Sequence, residues 1–375
     1  SAFYLFLRLS LSFASCVKRV LFLVPYPQGE AASQRFRFEQ YLPALQETGW
    51  DVHLSPFLDL RAWKVLYQPG HLDRKAFAIL RGYLHRLGDL LKLGRYDAVF
   101  IHREASPFGP PWLEWIITRL FKKYTVYDFD DAIWIPNASE SNSVITRWLR
   151  SFGKTGKICG WSSVVSVGNA YLGDYARKFN SRVVINPTTI DTDEHHNEIV
   201  DHDNHTFVIG WTGSHSTVQY LDELVPVFEE LEKRYDFELH VICDTPPRFK
   251  LKSLRYIKWS KQAEIDDLMN FNVGLMPLPD TEWARGKCGF KALQYMALGV
   301  PPVVSNVGVN AEIVDHDVNG CVCRNLDEWK SSLERLLSDP VFLRRLSQKT
   351  RDKVVSRYSV QSNRDNFLRL FLKDR

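Results

Sequence analysis

Scarcity is the first guide to this sequence. Its six cysteines, Cys16, Cys159, Cys243, Cys288, Cys321 and Cys323, include no C-x-x-C pair. That spacing argues for reduced thiols rather than a zinc site or a disulfide framework. Four histidines near the middle of the chain (His195, His196, His202, His205) are spaced too loosely, on too polar a segment, to hold a metal. Charge of one sign is also scarce. A net charge of +4, read as evenly spread, is too small to suggest nucleic acid as a partner. No G-x-G-x-x-G follows the first strand of either half, which removes the main support for a nicotinamide or flavin cofactor. Internal repeats and low-complexity tracts are absent as well.

What is present suits a soluble globular chain: 375 residues, 45% hydrophobic and 25% charged. That length is too great for one ordinary core and predicts two domains of roughly 150–200 residues each. Residues 1–16 are the compositional oddity, apolar with no acid and only Arg8 as a charge. The run is shorter than the roughly 20 residues a membrane span needs, and no basic leader precedes its apolar part. It fits either an interfacial helix on the inner face of a membrane or an extension ahead of Lys18.

From Lys18 onward apolar runs alternate with helix-period segments. Strands are expected at 20–25, 51–54, 98–102, 124–128 and 164–167, with helices at 35–48, 72–92, 111–122 and 170–179. A polar, strand-poor stretch over 186–204 marks a boundary. The pattern then restarts with strands at 207–211, 238–243, 256–259 and 273–277 and helices at 217–235 and 264–270. Strands separated by helices of this length indicate an α/β fold with two parallel, doubly wound sheets.

Residues 282–310 carry the most chemistry. They read as a glycine-broken loop with Lys287, a helix from about 289 to 298, and a buried strand over 302–305. A helix opening on Gly289 presents unpaired N–H groups, and Lys287 and Lys291, four apart, add full positive charge at its mouth. Most lysine pairs are solvated patches; here the small, apolar Cys288-Gly289-Phe290 between them turns at least one toward a cleft, with Arg285 as a weaker third contact. The combination is a diphosphate pocket. The turn Gly213-Ser214-His215-Ser216 after the first strand of the second half is either a second anion site or an ordinary strand-to-helix turn, with Ser216 as N-cap and Gln219 closing a capping box. In the first half, Asp128-x-Asp130 and His102-Arg103 end strands and should open on the same cleft. The carboxylate pair can hold Mg²⁺ or Mn²⁺ on a diphosphate or line the acceptor side, and two Rossmann-like halves favour the second.

The order of parts across 282–310, with the Gly213 turn before it, resembles the donor-binding segment of family 4 glycosyltransferases, retaining enzymes of GT-B fold (glycosyl transferases group 1). The resemblance implies two Rossmann-like domains facing across a cleft, with a last helix crossing back to the first. The division is then 1–17 as an extension, 18–190 plus 358–375 as an acceptor domain, and 191–357 as a donor domain. It implies a nucleotide-diphosphate sugar, UDP- or GDP-linked, held by Gly213, Ser214, His215, Lys287, Gly289, Phe290, Lys291 and Gln294. The family's two glutamates fall on Gly286 and Gln294, so both positions depart; Gln294 keeps a hydrogen-bonding role toward a ribose, and Glu282 is the candidate for the lost acid. Asp130 stands where many members have a histidine near the reacting carbon, so Asp130, Glu282 and Lys291 are the candidate catalytic groups. Gly29, Arg35, His102, Arg103, Asp128 and Asn169, with Arg37, form the expected acceptor side. The implied enzyme needs no metal, binds no nucleic acid, and works in the cytoplasm or peripherally on the inner face of the membrane, on a glycan or lipid-linked acceptor of surface-polysaccharide or lipopolysaccharide synthesis. A metal-dependent or inverting transferase, a sugar-nucleotide epimerase and a non-catalytic sugar-nucleotide-binding protein remain alternatives.

Overall fold

Two six-stranded parallel sheets organise the chain. The computed structural model describes residues 17–66, 70–136, 151–202 and 206–372; the expectations for residues 1–16 lie outside these. The first sheet has the order β2-β1-β3-β4-β5-β6, from β1 (Lys18–Val24), β2 (Trp50–Pro56), β3 (Ala98–His102), β4 (Tyr124–Phe129), β5 (Val164–Val167) and β6 (Val183–Ile185). The second has the order β12-β11-β10-β7-β8-β9, from β7 (Val208–Thr212), β8 (Glu238–Cys243), β9 (Leu254–Lys258), β10 (Val273–Met276), β11 (Pro302–Ser305) and β12 (Cys321–Cys323).

The central strands form because helices cover both of their faces, and continuous apolar runs answer that burial. β3, β7 and β10 are buried along their whole length. In the first sheet, alternation divides the core in two. Leu21, Leu23, Val99, Ile101 and Tyr127 enter one cluster, while Val20, Phe22, Val24, Phe100 and Val126 enter the other. The second cluster also receives Phe367, Leu370 and Phe371 from the end of the chain, with Phe367 stacked on Tyr41 at 4.6 Å. The helix Val360–Leu368 thus crosses back onto the first sheet, as expected.

Prolines cut two expected helices. Residues 35–48 are not one helix but Ala32–Arg35, a 3₁₀ turn Glu39–Tyr41 and Leu42–Glu47, the last begun by Pro43. Residues 217–235 begin as a 3₁₀ helix, Val218–Leu224, and become α-helical only at Val225–Leu231, where Pro226 sits in the first turn. A proline has no N–H to give a preceding carbonyl, so it starts a helix better than it continues one. The capping box on Ser216 does not form; Gln219 donates to the Ser216 carbonyl at 3.0 Å instead. The expected loop after residue 281 contains a short helix, Glu282–Arg285, capped by Thr281. Among the described residues no helix is long and apolar enough to cross a membrane.

Both sheets reverse strand order beside their first strand, between β1 and β3 and between β7 and β10. Crevices at such switch points, beyond the carboxyl ends of the strands, are where open α/β sheets bind ligands. They hold the Gly29 and Arg103 loops on one side, and the Gly213 turn and segment 277–291 on the other.

Candidate active site between the two sheets

The second-sheet wall is built around Lys291. It lies in the first turn of the helix Phe290–Ala297, which starts at Gly289 with φ +70°. A β-carbon at Gly289 would lie 2.1 Å from Ile313 Cδ1, so glycine is required by backbone and space alike. Lys291 is half-buried, with its Nζ 5.4 Å from the ring centre of Trp211 on β7. Among the described residues no carboxylate pairs with it. Burial, and then the charge of Lys287, pull its pKa down to about 8. One turn on, Gln294 is 1% exposed and its Nε2 has no hydrogen-bond partner among the described residues; Asn310 Oδ1 is likewise unsatisfied. Buried polar atoms are seldom left so, and the Gln294 amide, one turn from Lys291, is open to a ligand atom; Arg37 Nε and His102 Nε2 are unsatisfied on the opposite wall.

The Gly213 turn lies beside this wall, after β7. A β-carbon at Gly213 would meet the Trp211 ring at 2.4 Å. Ser214 bonds Ser216 at 2.9 Å through their hydroxyls. His215 is held twice by Asp244 at the end of β8, through its N–H at 2.6 Å and Nδ1 at 2.7 Å. Burial works to raise the Asp244 pKa, but the His215 contacts outweigh it and keep it low.

The first-sheet wall is self-neutralised. Asp128 faces His102 on β3 and Ser166 on β5 in register, and takes contacts at 2.9 Å from His102 Nδ1 and 2.6 Å from Ser166 Oγ. Arg37, 1% exposed, completes an ion pair with it. Burial alone would raise the Asp128 pKa; Arg37 and His102 hold it far below the carboxylate range. Asp130 turns the other way and pairs with Arg103 at 2.7 Å. The Asp-x-Asp carboxylates therefore diverge into separate ion pairs and do not converge on one ion.

Several expected acceptor-side groups instead join the two walls. Arg35 pairs with Glu264 at 2.7 Å, and the Gly29 carbonyl accepts from Lys261 Nζ at 2.6 Å. Asn169 caps the helix Ala170–Arg177 and donates to the Gly286 and Lys287 carbonyls at 3.1 and 3.0 Å. Lys287 departs from its expected place with Lys291: it reaches across to Asp131 at 3.0 Å, and Asp131 also pairs with Arg103 at 2.6 Å. Burial would lower the Lys287 pKa, but Asp131 more than offsets this and raises it. Phe290 packs on Phe36 of the first half, ring centres 4.4 Å apart. Glu282 is exposed at the start of its short helix.

The structure thus brings Lys291, Gln294, Gly289 and the Gly213 turn together, and gives Lys287, Phe290, Gly29, Arg35 and Asn169 to contacts between the halves. Sequence reasoning missed Asp131, Asp244, Lys261 and Glu264. Asp244 was within reach, since it directly follows β8 on the switch-point side; the others depend on how the halves meet.

Residues 206–339 match the family model described as glycosyl transferases group 1. No curated protein matches the sequence. Among solved structures, sucrose-phosphate synthase from Thermosynechococcus elongatus is similar at TM-score 0.69 and 13% identity, covering 94% of this chain and 98% of its own. A glycosyltransferase from Rickettsia africae is similar at TM-score 0.67 and 12% identity, covering 96% and 100%. Anabaena HepE in complex with UDP-glucose follows at TM-score 0.64 and 13% identity, covering 93% and 97%. The fold is GT-B. With the group 1 match over its second half, the chain is a glycosyltransferase.

Proposed function

We propose that this chain is a retaining transferase of the family 4 type that moves a sugar from a UDP- or GDP-sugar to a glycan or lipid-linked acceptor. One observation carries the reading: a half-buried ammonium, Lys291, without a carboxylate partner among the described residues, one turn from the Gln294 amide that is unsatisfied among them and next to the Gly213 turn. A diphosphate supplies the missing negative charge, and a ribose hydroxyl supplies an acceptor for Gln294 Nε2. The complex of Anabaena HepE with UDP-glucose supports a nucleotide-sugar donor for this fold.

In this reading residues 191–357 hold the donor, and residues 18–190 with 358–375 hold the acceptor. The leaving diphosphate oxygen takes the proton of the incoming hydroxyl on the same face, and no metal is required. Lys291 stabilises charge growing on that oxygen, and Lys287 joins it when the donor draws it from Asp131. Asp130, fixed by Arg103, orients the acceptor from the opposite wall, with Glu282 at the mouth. The site works on the cytoplasmic side, in the assembly of surface polysaccharide or lipopolysaccharide; the similarity to WaaB, a lipopolysaccharide outer core galactosyltransferase, supports a glycan acceptor of that kind.

The test has two stages. A thermal-shift screen against UDP-, GDP- and ADP-sugars identifies the donor, since a ligand that binds only the folded chain raises its melting point. Transfer by Lys291→Ala is then measured with that donor. The expected loss is about 10²–10³-fold in kcat with a melting point no lower than that of the wild type, the size seen when one charge-stabilising donor is removed. A full-rate variant rejects the assignment.

A further inference from the structure

The positive charge of the chain is not evenly spread, contrary to the expectation from its total. Residues 61–95 contain eight Lys or Arg and two Asp, a net of +6 against +4 for the whole chain. This segment holds the helix Leu72–Lys92 and most of the helix Leu60–Leu66, both on the outside of the first sheet. The long helix is anchored by one face only. Gly82 lies against Phe57, where a β-carbon would come within 2.6 Å of the ring. Arg86, 1% exposed, donates to the carbonyls of Ala105 and Val24 at 2.8 and 2.9 Å. These contacts fix which face looks outward.

That outward face is apolar. Phe77, Leu80, Leu84, Leu87 and Leu91 are 67%, 57%, 59%, 44% and 90% exposed, and their steps of three and four residues place them in one stripe. Scattered exposed leucines need no explanation, but five aligned on one helix do. Arg74, Arg81 and Lys92, all exposed, lie roughly a quarter-turn round the helix from the stripe. A groove beside them, between the two helices, is lined by Arg61, Arg74, Phe77, Arg81 and Leu84 together with Asp59 and Asp73; Asp59 pairs with Arg81 at 2.5 Å, so Arg61, Arg74 and Lys92 supply most of the positive charge of the flank.

We propose that this face, the apolar stripe of Leu72–Lys92 with its basic flank and groove, is a docking surface for an anionic phospholipid bilayer. An apolar ridge with cations along its side matches a membrane interface, where acyl chains receive the leucines and anionic headgroups meet the arginines and lysines. The charge selects this occupant over others. A second copy docked by the same face would set two strongly basic segments against each other. Residues 1–16 bring Arg8 and no acid, so they offer the basic flank no counter-charge.

The experiment is flotation of the full chain with vesicles of phosphatidylcholine alone or mixed with phosphatidylglycerol. It uses no nucleotide or sugar, so its outcome is separate from that of the donor-site reading. The wild type is expected to float with the mixed vesicles and not with phosphatidylcholine alone. Leu84→Glu with Leu87→Glu should weaken binding by at least about 100-fold, because two stripe positions then carry charge into the interface. Arg74→Gln with Lys92→Gln should weaken it by roughly tenfold or more, near the loss expected for two surface cations. All four positions are exposed, and an unchanged melting point will confirm folding. Fluorescence of Leu84→Trp should shift to the blue on adding mixed vesicles. Equal binding to phosphatidylcholine alone would overturn the proposal, as would binding that survives Leu84→Glu with Leu87→Glu but is lost when residues 1–16 are removed. So would a solution dimer that the paired glutamates dissociate while no vesicles bind.

Discussion

The two walls of the cleft treat charge in opposite ways. On the first-sheet wall Arg37, Arg103, Asp128, Asp130 and Asp131 are all spent on one another or on Lys287. On the second-sheet wall, among the described residues, the Lys291 ammonium has the Trp211 ring but no carboxylate beside it, and the Gln294 Nε2 and the Asn310 Oδ1 lack partners. Both walls keep unsatisfied buried polar atoms, Arg37 Nε and His102 Nε2 on the first among them, so the difference lies in charge: the first wall neutralises its own, and the second leaves a half-buried cation shaped for something that completes it. The difference predicts that substitutions in the Arg37–Asp128–His102 network of the first wall act on stability, and those of Lys291 and Gln294 on the second act on donor binding.

Asp128→Ala should break the first wall hardest. It leaves Arg37 buried beside His102 with no counter-charge, and removing one partner of such a pair costs about 3–5 kcal/mol, read by urea unfolding. A loss below about 1 kcal/mol would mean that the network is not what holds this wall.

Lys291 should show itself in the pH dependence of stability. Its folded pKa of about 8 lies below the unfolded value of about 10.4, so between these the unfolded chain binds more protons and stability rises with pH. The gain across that window should be about 1–3 kcal/mol and should vanish in Lys291→Met. Unfolding of the two proteins from pH 7 to pH 10 measures it, and parallel curves would refute the unpaired state of the lysine.

The smallest effect belongs to the contacts between the walls. Glu264→Gln releases Arg35 and should cost about 1 kcal/mol, with a larger radius of gyration by X-ray scattering in the absence of ligand. An unchanged radius would show that this pair does not hold the cleft closed.

Much of this was legible in the residues. Apolar runs located most strands, β3 and β5 to the residue, because a strand buried on both faces leaves little choice of composition. Lys291, Gln294 and Gly289 stood out because a glycine-opened helix with a lysine in its first turn is a local pattern. Pro43 and Pro226 were visible too, and should have divided the two helices they interrupt. The fates of Lys287, Arg35 and Gly29 were not legible. Their partners lie 156, 229 and 232 residues away and meet them only through the closure of two separately folded sheets. Nothing in a local stretch distinguishes a lysine waiting for phosphate from one that has found an aspartate across a cleft.

The central claim is that the second wall lacks an anion and that Lys291 receives it. Calorimetric titration of UDP and GDP into the wild type and Lys291→Ala tests this without needing the sugar or the acceptor. The account predicts that at least one nucleotide binds the wild type and that the variant binds it about 10–100-fold more weakly, the worth of one hydrogen bond to a charged group. Equal affinity in the two proteins, or no binding of either nucleotide to the wild type, would contradict it.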